Sequence, residues 1–239
     1  MEKQFKVKLV IRRAPALAAL GWLKHSWQIF VQAPLVWVLM FVTLAAMALL
    51  GQLHPLLAIG AIMLNPFLTA GVYKAIVAVQ QKQAIDFSML FTALQESACR
   101  PVFVRLAALN LLASVPVSML ASTLIQQHEQ QLVDGITVLA FVSAAVLVWM
   151  IFAYAVAIAY FLQEHRLFTV VQSSFMACWR NIVPLVLFAL LSMGLIMLTM
   201  PTMFIGLLVV VPVLNIAFFL SFNEFFALQV KADEGVLEV

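Results

Sequence analysis

Residues 34–50 read PLVWVLMFVTLAAMALL, from Pro34 to Leu50, and carry no charge. Lipid offers no partner to bare backbone N–H and C=O groups, so a crossing segment folds as a helix, and roughly 20 apolar residues cover a hydrocarbon core about 30 Å thick. The stretch therefore predicts a membrane span. The same test marks five more: Leu56 to Val79, Val102 to Thr123, Ile136 to Phe161, Ile182 to Thr199 and Met203 to Ala227. Only Thr199-Met200-Pro201-Thr202 breaks the last two. Merged, they would be far too long for one crossing, so six spans are expected.

Composition points the same way. Of 239 residues, 65% are hydrophobic and 10% charged, with a mean hydropathy of +1.10. Soluble domains are about 45–50% apolar and about 25% charged. The chain reads as one transmembrane domain over residues 1–239, in which 1–33 form a cytoplasmic N-terminal segment with an interfacial helix and 228–239 a cytoplasmic tail. The first apolar run starts too late and extends too far for a signal-peptide core.

The net charge of +3 is topological rather than a nucleic-acid stripe. Lys3, Lys6, Lys8, Arg12, Arg13 and Lys24 precede the first span, and Lys74, Lys82, Arg100 and Arg105 flank the second connection. Arg166 and Arg180 flank the fourth, and Lys231 follows the sixth span. These are all thirteen cations. The opposite connections hold Gln52 and His54, then Gln126, Gln127, His128, Glu129 and Asp134, then no charge. Cations collect on the cytoplasmic side, so a bacterial inner-membrane protein with both termini inside is expected. Cys99 and Cys178 then face a reducing compartment and form no disulfide.

A weaker pattern divides the chain into three units, each an amphipathic cytoplasmic segment followed by a two-span hairpin. In the first segment Leu20, Leu23, Trp27, Phe30 and Val31 recur at helical spacing, with Lys24, His25, Gln28 and Gln32 on the other face. The second, Phe87 to Arg100, is shorter and less regular. The third, Phe168 to Asn181, sets Phe168, Val171, Phe175, Cys178 and Trp179 against Gln172, Ser173 and Arg180. Pro34, Pro101 and Pro184 sit where each following span starts, the position at which proline's missing N–H costs least. The expected fold is an all-α membrane protein of six transmembrane helices in three hairpins, each preceded by an interfacial helix. Tandem duplication and plain regularity of six spans both account for the pattern.

Few residues invite chemistry. Lys74 lies eight positions before Lys82, roughly 12 Å along a helix, and aligning Asn65 with Asn215 sets Lys74 at the depth of Glu224. An intramembrane charge is expensive, so an ion pair, snorkelling to the interface or a place on a solute pathway each explain it. Asn65-Pro66 and Pro212 with Asn215 either open their helices locally or merely bend and pack them. Asn110 suits an interhelical hydrogen bond, and Ala153, Ala155, Ala157 and Ala159 permit close helix approach. Trp22, Trp27 and Trp179 suit an aromatic belt at the cytoplasmic interface.

No metal-ligand spacing links His25, His54, His128 and His165. Phosphate-binding loops, nucleophile elbows and dinucleotide glycine patterns are missing too. No cofactor, metal or catalytic residue is expected, and the expected partners are membrane lipids, a second copy or another membrane protein. The reading is a non-enzymatic scaffold or accessory factor, the alternative a transporter or channel for small solutes or lipids.

The run from Gly21 to Pro34, GWLKHSWQIFVQAP, resembles the opening of six-span bacterial inner-membrane families, which share an interfacial Trp/Phe-rich helix and a proline before the first span. The runs Phe91 to Pro101 and Phe175 to Pro184 echo it. The resemblance implies a six-span inner-membrane protein without established activity and supplies no catalytic residues.

Overall fold

The structure is a computed structural model that describes residues 6–232 and 235–238, and the side chains of 11–226. Six helical segments are long and apolar enough to cross a membrane: Pro34–Leu53, Pro55–Gln80, Arg100–Glu129, Gly135–Phe161, Ile182–Thr202 and Leu207–Phe225. The chain folds as two compact units. Unit 1 comprises Met1–Val42, Tyr73–Phe87 and Met176–Val239, and unit 2 comprises Thr43–Val72 and Ser88–Phe175.

Unit 1 begins with strand β1 (Lys6–Ile11) and helix α1 (Ala18–Phe30). It takes in the start of α2 (Pro34–Leu53), the end of α3 (Pro55–Gln80) and α9 (Ile182–Met197). Helix α10 (Leu207–Phe225) and strands β2 (Phe226–Ala232) and β3 (Gly235–Glu238) complete it. Helix α1 packs along α10 and touches α9. It buries Ala19, Trp22, Ser26, Ile29 and Phe30, a helical stripe one position away from the one that hydropathy alone selects. Leu20, Trp27 and Val31 are left exposed. Proline opens α2 at a position whose N–H would have had no helical partner. Buried Trp37 then donates its indole N–H at 3.3 Å to the Ile29 carbonyl, which also accepts the Gln32 N–H near the end of α1.

The three strands form an antiparallel sheet in the order β1-β2-β3. Lys6 pairs with Lys231 and Ile11 with Phe226; Gln229 pairs with Glu238 and Ala232 with Gly235. The strands fall at the two ends of the described chain, and the six candidate spans are helical as expected. The two ends of the described chain thus lie together in one sheet. Buried Asn181 seals the exit from β1: its Oδ1 accepts the Ala14 N–H at 2.8 Å, and its Nδ2 donates to the Arg12 and Ala177 carbonyls, each at 3.0 Å.

Unit 2 holds the rest of α2 and α3, the short helix α4 (Thr92–Gln95), α5 (Arg100–Glu129), α6 (Gly135–Phe152) and α7 (Ala155–Phe161). It also takes most of α8 (Leu167–Arg180). Helix α5 packs along α6 and also meets α7. The Asp134 carboxylate caps α6 by accepting the Ile136 and Thr137 N–H groups. These bonds, that from Ile136 foremost, hold its pKa below the usual carboxylate range.

The expected second amphipathic helix is absent as a continuous element. A 3-10 turn over Phe87–Phe91 leads into one turn of α4. The turn lies hard against α3, where a Cβ on Gly71 would come within 2.2 Å of the Leu90 carbonyl oxygen.

Pro66 and Pro212 sit inside continuous helices. The helical break falls instead in the fourth span, at Ala153-Tyr154. There the hydroxyl of Ser174 on α8 donates to the Met150 carbonyl at 2.9 Å and accepts the Tyr154 N–H at 3.0 Å. In an unbroken helix those two backbone groups would bond each other. A side chain inserted into the ladder accounts for the break.

Candidate functional site

A cleft lies in each unit. In unit 1, the polar face of α1 and the last turns of α3 and α10 enclose about 480 Å³. Trp22 and Ile29 are its buried floor, while His25, Gln28, Gln80 and Glu224 line its sides. The Glu224 Oε2 accepts a short hydrogen bond from the Trp22 indole N–H. Phe188 and Phe225 hold the indole edge-on, with centroids at 6.1 and 5.5 Å. Trp22 is 4% exposed, so it packs against protein, whereas Trp27 and Trp179 are 51% and 61% exposed.

The second cleft, in unit 2, encloses about 350 Å³. Its walls are mostly aliphatic, with Gln52, Asn65 and Asn110 as its three amides and no ionisable group. Such a surface suits a neutral, hydrogen-bonding molecule or the glycerol region of a lipid. Proximity of Asn110 to Asn65 had no signal in the sequence, since the two lie on different helices.

The candidate intramembrane residues therefore separate. Asn65 belongs to unit 2, while Lys74, Asn215 and Glu224 belong to unit 1. Asn215 is exposed on α10 and donates its side-chain N–H to the Val211 carbonyl one turn back, at 2.9 Å. Its own helix thus satisfies part of its amide. Lys74 is half-buried, and its neighbour Tyr73 stacks on Phe219 with centroids 4.5 Å apart.

Outside the clefts, chemistry is sparse. Both cysteines are buried, and neither is in a disulfide among the described residues. Burial raises the Cys99 thiol above its ordinary range, with Glu96 adding to the effect, and pushes Cys178 up to about 12. Neither forms an appreciable thiolate near neutrality, so neither is primed as a nucleophile. Among the described residues no three His, Cys, Asp or Glu side chains gather as a metal site. Compared with protein-family models, curated proteins and solved structures, the chain matches none.

Proposed function

We propose that this is a non-enzymatic scaffold or accessory protein of a bacterial inner membrane, with both termini cytoplasmic and with α1 and α8 lying in the headgroup plane of the inner leaflet. In this reading short connections join the six spans as three hairpins. The observation that carries it is local pairing of the polar span residues: Asn215 bonds its own helix and Glu224 bonds Trp22. A solute pathway asks for groups held open toward a shared route.

Two exposed stripes support the placement of the interfacial helices. On α1, Leu17, Leu20, Trp27 and Val31 recur along one face, with Lys24 among them. On α8, Phe168, Met176 and Trp179 do the same. Apolar side chains with interspersed cations and tryptophans fit the boundary between acyl chains and headgroups. The second reading is a transporter or channel, favoured by the amide-lined cleft of unit 2.

Reconstitution separates the two. Vesicles carrying the protein and loaded with small neutral and cationic solutes are expected to leak no faster than protein-free vesicles. Single-tryptophan variants retaining Trp27 or Trp179 are expected to be quenched more by lipids brominated near the headgroup than by lipids brominated deep in the chain. Protein-dependent flux that disappears in a folded Asn65→Ala variant would replace the scaffold with a transporter.

A further inference from the structure

We propose that the unit 1 cleft is a binding site for a primary ammonium group, the chemistry carried by an aminoethyl phospholipid headgroup. The proposal rests on the reading above only in placing α1 at headgroup depth.

Charge gives the first argument. Among the described residues that line this cleft there is no Lys or Arg, and Glu224 is the one carboxylate. A pocket of about 480 Å³ is thus an anionic spot in a chain of net charge +3. An ammonium entering it meets no competing Lys or Arg among the lining residues.

The second argument is the acceptor set. The indole N–H of Trp22 engages Oε2 of Glu224. An ionised carboxylate has about four lone-pair sites, so this bond orients the group and leaves Oε1 for another donor. Gln28, Gln80 and Asn223, whose side chains each carry an amide oxygen, line the same cleft. A primary ammonium has three N–H donors and no acceptor, which matches a carboxylate among amide oxygens. Amide N–H groups and His25 on the same walls supply donors for an adjoining phosphate.

The third argument separates primary from quaternary ammonium. Quaternary ammonium ligands are recognised by cages of several aromatic faces. Only one aromatic ring, that of Trp22, lines this cleft, and Phe188 and Phe225 already pack against it. Without a cage, selectivity rests on hydrogen bonds that a trimethylated nitrogen cannot donate.

The test is native mass spectrometry of the full chain in detergent, titrated with phosphatidylethanolamine or with phosphatidylcholine of the same acyl chains. One charge-assisted hydrogen bond implies a preference of about tenfold for the ethanolamine lipid. Glu224→Gln keeps a carbonyl for the Trp22 N–H and is expected to abolish the preference while leaving the melting temperature near that of the parent. Gln28→Lys, which places a tethered ammonium in the cleft, is expected to do the same and serves if Glu224→Gln folds poorly. Displacement of the lipid by soluble phosphoethanolamine would show that the headgroup alone is recognised and that a free amine is an equally good source of the ligand. Equal binding of the two lipids to the parent protein, or a preference that survives both substitutions, overturns the proposal. The scaffold reading falls on a different measurement, the flux assay.

Discussion

Ser174 shows how much one small side chain decides. Its hydroxyl, buried without measurable exposure, stands between the Tyr154 N–H and the Met150 carbonyl and bonds both. Replacing Ser174 by Ala removes a donor and an acceptor in one step. A buried backbone group left without its partner costs about 1–3 kcal/mol, so the Ser174→Ala protein is expected to unfold at clearly lower temperature in detergent, followed by circular dichroism. An unchanged midpoint would mean that the fourth span closes its own ladder across Ala153-Tyr154. Trp22 belongs to the same scale. Its apolar ring and single N–H suit a site that is greasy on two sides and carboxylate-lined on the third.

At the scale of elements, close approach is set by glycine. On α3, Gly71 faces the backbone of the Phe87–Phe91 turn, and an added methyl would collide with the Leu90 carbonyl. Gly60 on the same helix meets nothing within 4 Å. Gly71→Ala is therefore expected to cost about 1–3 kcal/mol or more through overpacking, whereas Gly60→Ala should be neutral or slightly stabilising through helix propensity. Comparing the two melting temperatures checks this. Neither distinction was legible in the sequence, where both glycines are equally plausible helix residues. The six spans were legible because lipid imposes length and apolarity on each one separately. The break in the fourth was not, since its cause lies on α8, twenty positions further along the chain. At Pro66 and Pro212, where the sequence allowed either local opening or mere bending, α3 and α10 run through. The protein-facing side of α1, with Ala19, Trp22, Ser26 and Ile29, had no signal in its hydropathy, because the larger Leu20 and Trp27 stay exposed.

For the whole molecule, the sheet is the feature that reading by hydropathy passed over. Val7, Leu9 and Ile11 alternate with Lys6 and Lys8, and Phe226, Leu228 and Val230 with Gln229 and Lys231, which is a strand period. Lys6, Lys8 and Lys231 serve equally well as topology signals, which hides the alternation. The register gives a sharp test. Leu9 stands opposite Leu228, so cysteines placed at 9 and 228 are expected to form a disulfide rapidly under mild oxidation. Cysteines at 9 and 232 should react far more slowly. Equal rates for the two pairs would show that β1 and β2 do not pair in this register.

Pairing the first strand with the last also orders events during synthesis. Residues 6–11 leave the ribosome before any span has inserted, and their partners at 226–231 emerge only after all six. Through that interval β1 has an open hydrogen-bonding edge, a liability for any strand. Closing so long a loop also carries an entropic cost. A chain truncated before β2 therefore leaves β1 without its one strand partner after insertion.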